Sequence, residues 1–63
     1  MTTNDLKTKP QEVLWKKFDG GTKLGECKVI GFYHTPKSIR FEIGTQLGQT
    51  SMNAEELSKA FNN

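Results

Sequence analysis

A single cysteine, Cys27, and a single histidine, His34, are all that 63 residues offer in thiol and imidazole. One thiol excludes an internal disulfide, and Cys27 with His34 falls short of the ligands that a structural zinc site needs. A reducing, cytoplasmic setting is the expectation that follows. No apolar run approaches the roughly 20 residues of a membrane span, so no membrane partner is expected. The segment Met1 to Leu6 is polar and lacks the apolar stretch of a secretory leader. Gly20-Gly21, Gly44 and Gly48 match no phosphate-binding loop. No nucleophile beside a base and no facing carboxylate pair stands out, so neither an enzyme nor a cofactor is expected.

A strong excess of charge is also missing. Nine Lys and Arg against seven Asp and Glu leave +2, well short of a dedicated polyanion binder. The distribution says more than the sum. Residues 1–41 carry eight basic side chains (Lys7, Lys9, Lys16, Lys17, Lys23, Lys28, Lys37, Arg40) against Asp5, Glu12, Asp19 and Glu26, which is +4. Residues 42–63 carry Lys59 against Glu42, Glu55 and Glu56, which is −2. Such polarity can orient either a nucleic acid or a protein partner. The length allows one domain, which at this size buries only about 60% of its unfolded surface and leans on tight packing or self-association.

What the chain does have is one clear alternation. From Cys27 to Ile43, apolar residues fall at Ile30, Phe32, Ile39, Phe41 and Ile43, the period of a strand with one buried face. Thr35-Pro36-Lys37-Ser38 supplies a turn, with Pro36 setting φ for its second position. That turn predicts an antiparallel hairpin with His34 opposite Ile39, Phe32 opposite Phe41 and Ile30 opposite Ile43. Val29, Gly31, Tyr33, Arg40 and Glu42 then share the other face, with Tyr33 across from Arg40.

Around this hairpin, Met1 to Lys7 lacks periodicity and is expected as a flexible tail (residues 1–7), leaving residues 8–63 as a single small α+β domain. Thr8 with Gln11 predicts a capped helix over residues 9–18, stopped by Asp19-Gly20-Gly21. The same residues, Val13 to Phe18, also admit a strand turning at Asp19-Gly20. Gly44 to Gly48 reads as a loop leading to a short strand over 49–52. Asn53 with Glu56 three residues on caps a C-terminal helix bearing Leu57 and Phe61. The predicted architecture is therefore an N-terminal helix, a three-stranded antiparallel sheet and a C-terminal helix. Its expected core is Val13, Leu14, Phe18, Ile30, Phe32, Ile39, Phe41, Ile43, Met52, Leu57 and Phe61.

With both helices on one face of the sheet, the other face is open, and candidate functional residues gather there. Tyr33 and Arg40, with Lys28 and His34 at the margins and Lys37 at the hairpin tip, form an aromatic and basic patch. Aromatic rings stack bases while lysines neutralise phosphates. The plain alternative is a cross-strand pair contributing a few tenths to about 1 kcal/mol. Trp15 beside Lys16 and Lys17 is the second candidate, suited to a phosphate backbone or a partner's groove, against the plain reading of a solvated helix face. His34 otherwise packs at the hairpin end, and Cys27 is expected as a small strand hydrophobe.

Lys16-Lys17, Gly20-Gly21, Val29-Ile30-Gly31-Phe32-Tyr33-His34-Thr35 and a short strand entering a terminal helical turn together resemble the small barrel of plasmid-borne type II dihydrofolate reductases. The resemblance covers about three-quarters of the chain. It implies an alternative fold, an SH3-like small β-barrel with a C-terminal helix, and places Lys16 where that family has a functional lysine. That family's Val-Gln-Ile-Tyr signature would fall on Thr50-Ser51-Met52-Asn53 and is not there, so the resemblance implies no reductase activity. Ser51-Met52-Asn53-Ala54-Glu55-Glu56-Leu57-Ser58 is also similar to the strand-to-helix junction of the single-stranded-DNA-binding transcriptional coactivators.

Two functions follow as expectations. The first is a small non-enzymatic nucleic-acid-binding or regulatory module using Trp15, Lys16, Lys17, Lys28, Tyr33, His34, Lys37 and Arg40. The second is a small inhibitor or adaptor acting on a host protein, of the kind encoded by phages or other mobile elements. Open strand edges would additionally permit a homodimer.

Overall fold

The computed structural model describes residues 2–62. The chain is α+β: α1 (Thr3–Thr8), a 3-10 turn (Pro10–Val13), β1 (Lys17–Asp19), α2 (Gly21–Leu24), β2 (Glu26–His34), β3 (Ile39–Thr45), β4 (Gly48–Asn53) and α3 (Ala54–Phe61). The strands form one antiparallel sheet in the order β1-β2-β3-β4, four strands where the sequence predicted three.

The extra strand comes from the segment expected as a helix over residues 9–18. Only its start is helical, as the 3-10 turn. Trp15 then adopts φ 69°, a left-handed conformation that no helix interior accommodates, and swings the chain into β1. The amide of Trp15 donates to the Val29 carbonyl at 2.7 Å, and Val29 donates back to the Lys16 carbonyl at 3.0 Å. Pairing with β2 thus overrides the helical spacing of Val13, Leu14 and Phe18: Val13 is buried from the 3-10 turn and Phe18 points inward from β1.

Residues 3–8, largely within the segment expected as a tail, fold as α1. The Thr2 hydroxyl accepts from the Asp5 amide at 3.1 Å and the Asp5 carboxylate accepts from the Thr2 amide at 3.3 Å, a reciprocal cap. Hydrogen bonds from Thr2 hold the Asp5 carboxyl below its usual range. Thr8 ends this helix rather than starting the next, its hydroxyl donating to the Asn4 carbonyl at 2.9 Å. A six-residue helix has little stability of its own; α1 is held by Leu6, which is fully buried, and by packing against α3.

The hairpin register is as predicted at its tip, with His34 opposite Ile39, Tyr33 opposite Arg40 and Phe32 opposite Phe41. The turn is locked by Thr35, whose amide and hydroxyl both donate to the Ser38 carbonyl, at 2.8 and 2.6 Å. Below Gly31 the register shifts. Ile30 is an extra residue in a β-bulge, so Val29 rather than Ile30 faces Ile43. Val29 is consequently buried in the core and Ile30 turns to the other face, near Gly44, reversing the expectation for both.

β4 and α3 fall close to their predicted positions. Asn53 caps α3, accepting from the Glu56 amide at 2.8 Å while the Glu56 carboxylate accepts from the Asn53 amide at 3.1 Å. α3 lies over β1, β3 and β4, and the 3-10 turn packs against β2. One face of the sheet is thereby covered, and the core comprises Leu6, Val13, Phe18, Cys27, Val29, Ile39, Phe41, Ile43, Ala54 and Leu57. Leu14, Phe32, Met52 and Phe61 sit at its margin, and the Phe61 ring meets Phe18 edge-on with centroids 5.2 Å apart. Among the described residues no helix is long and apolar enough to cross a membrane.

Candidate nucleic-acid interface

Strand alternation assigns the uncovered face. With Phe18, Cys27, Val29, Phe41 and Ile43 inward, the ladder turns Lys17 and Asp19 of β1, Glu26, Lys28 and Tyr33 of β2, Arg40 and Glu42 of β3, and Gln49 and Ser51 of β4 outward. Ile30 joins them through the bulge. The arrangement divides the predicted site in two. Tyr33, His34, Lys37 and Arg40 gather at the turn end of the hairpin. Lys17 and Lys28 form a cross-strand pair toward the opposite end. Trp15 and Lys16 stand beside β2 at Val29, four residues and about 13 Å of strand from Tyr33.

The acidic residues are unevenly placed along this face. Asp19 pairs with Glu26 at the α2 end and Glu42 lies mid-sheet, whereas the turn end carries Arg40 on the open face. Lys17 is partly occupied, its ammonium 3.5 Å from the Glu26 carboxylate, and a pair this exposed contributes little to stability. The Arg40 guanidinium donates to the Ser51 hydroxyl at 2.9 Å, which orients its planar fork across β3 and β4. Tyr33 is 41% exposed and Trp15 66% exposed, so both rings present surface to solvent. His34 meets Phe32 edge-on at 6.3 Å and is otherwise exposed, at the margin rather than in the core.

Cys27 differs in kind. Its side chain is fully buried, with the thiol donating to the Gly25 carbonyl at 3.6 Å, and a Cβ on Gly20 would lie 2.5 Å from the sulfur. Burial, with Asp19 adding to it, pushes the thiol pKa up, so thiolate is scarce at neutral pH. Alkylation of native Cys27 at pH 7 is therefore expected to be slow and to become fast only in denaturant; equal rates measured by mass spectrometry would contradict this packing.

Two features lay beyond local sequence reading. A recess of about 680 Å³ opens between β1, the start of α2 and α3, lined by Phe18, Leu24, Met52 and Phe61 with Lys17, Asp19, Glu56 and Lys59. Lys7, expected in the tail, arrives beside the hairpin turn with His34 and Lys37. No sequence signal joins residues so far apart; only the burial of Leu6 does. Among the described residues no group of three or more His, Cys, Asp or Glu is placed to hold a metal. No protein-family model, curated protein or solved structure matches this chain.

Proposed function

We propose that this small α+β protein is a non-enzymatic module that binds single-stranded nucleic acid across the open face of its sheet. The observation that carries the reading is the exposure of Trp15 and Tyr33 beside and upon that face, with Lys28 presented from β2 and Arg40 from β3. Flat rings accept bases of any identity, and the cations follow the phosphate chain, so affinity with weak sequence preference is the expected behaviour. The face also carries Asp19, Glu26 and Glu42, which restrains the phosphate term and makes stacking the larger share.

The test is the salt dependence of binding to a labelled oligonucleotide. Affinity falls with salt, and Lys28→Ala or Arg40→Ala each lowers the slope of log K against log[salt] by about 0.7 for one lost phosphate contact. A salt-independent affinity, or no affinity at low salt, rejects the reading.

One observation favours a second reading, a protein-binding inhibitor or adaptor. The outer edge of β1 pairs with no described strand, and it borders the recess lined by Phe18, Leu24, Met52 and Phe61 and rimmed by Lys17, Asp19, Glu56 and Lys59, a setting suited to strand addition by a partner chain. Affinity purification with and without nuclease separates the two: a single stoichiometric protein retained after nuclease favours the second.

A further inference from the structure

We propose that the turn end of the hairpin is a phosphate-monoester site that holds the terminal phosphate of a bound strand. The inference rests on the nucleic-acid reading and gives it an anchored end. A recess of about 280 Å³ lies there, lined by Lys7, His34, Thr35, Pro36, Lys37, Ser38 and Ile39. Its lining residues include two lysines and a histidine and no Asp or Glu. Lys7 and Lys37 form no ion pair with any described residue.

The backbone cannot supply the donors. The amides of Lys37 and Ser38 are directed at the Thr35 hydroxyl, at 3.3 and 3.0 Å, and the Thr35 amide at the Ser38 carbonyl. Recognition therefore falls to charged side chains, which select a compact anion over a neutral group. A phosphodiester carries one negative charge, whereas a monoester carries about 1.5 to 2 at neutral pH and matches two lysines.

The recess is also held in shape. Leu6 is fully buried immediately before Lys7, which ties the last turn of α1 to the core. Pro36 and the Thr35 hydrogen bonds set the turn. Tyr33 lies on the open face and His34, with Phe32, on the other, so a strand stacked on Tyr33 reaches the recess by passing round the hairpin tip.

The experiment compares short single strands bearing a 5′-phosphate, a 3′-phosphate or only hydroxyl ends, by fluorescence anisotropy, with inorganic phosphate as a competitor. One phosphorylated end is expected to bind about tenfold more tightly than the hydroxyl strand. Lys7→Ala with Lys37→Ala removes this preference. Lys23→Ala with Lys59→Ala, an equal loss of charge outside the recess, retains it. Equal binding of phosphorylated and hydroxyl strands overturns the site while leaving the nucleic-acid reading intact. No binding of any strand rejects that reading itself. Inorganic phosphate that shifts the amide resonances of His34, Thr35, Lys37 and Ser38 as strongly as the phosphorylated strand overturns the strand-end assignment in favour of free phosphate esters.

Discussion

Phe41→Ala is expected to leave the protein largely unfolded at room temperature. Phe41 is fully buried on β3, a strand paired on both sides, and its ring lies 6.3 Å from that of Phe32. Removing a buried phenyl ring typically costs about 3–5 kcal/mol through lost transfer energy and the cavity left behind. A domain of this length has roughly 3–9 kcal/mol in total. The deficit is therefore comparable with the whole stability. Phe41→Leu keeps most of the volume and is expected to cost below about 2 kcal/mol. Urea unfolding followed by far-UV circular dichroism distinguishes the two. A midpoint for Phe41→Ala within experimental error of the parent would show that the interior is not built around this ring.

The second large effect is on binding. Trp15→Ala combined with Tyr33→Ala is expected to weaken single-strand affinity by about 2–6 kcal/mol, since each stacked base contributes about 1–3 kcal/mol. That is roughly 30-fold to more than 1,000-fold. Both rings are largely outside the core, so thermal stability should move little, by about 0.5 kcal/mol per site. This separation of binding from folding is what identifies a contact surface. Trp15 is the only tryptophan, so its intrinsic fluorescence gives an independent readout. Quenching and saturation with added strand are expected. An unchanged spectrum at saturating strand, or full affinity in the double variant, would exclude stacking as the mode of recognition.

Much of the hairpin was legible because its signals are local. Period-two alternation at Phe32, Ile39, Phe41 and Ile43, interrupted by Thr35-Pro36-Lys37-Ser38, sets both turn and register near the tip. The α3 start was legible for the same reason, as Asn53 and Glu56 satisfy each other's amides within one turn. Val29 and Ile30 were not separable in this way. Both are β-branched and apolar, and either suits a buried strand position. Val29 goes inward because the bulge sets it opposite the buried Ile43, and the same bulge turns Ile30 out. Of the candidate residues, Tyr33 and Arg40 were placed as a facing pair in advance, because they lie on the tip side of the bulge. Lys17 was not, since its place beside Lys28 depends on β1 being a strand.

The amino-acid sequence by itself determined the hairpin, its turn, the capped terminal helix and the α+β class, since each arises from neighbours within a few residues whose hydrogen bonds and alternation are self-sufficient. Tertiary structure alone decided the fate of residues 3–19, where a single buried leucine and a left-handed tryptophan carry no periodic signal. It also decided that Lys7 meets His34 and Lys37. The reason is physical: a six-residue helix and a three-residue strand gain too little from their own hydrogen bonds to form alone, and take shape only against a sheet already in place.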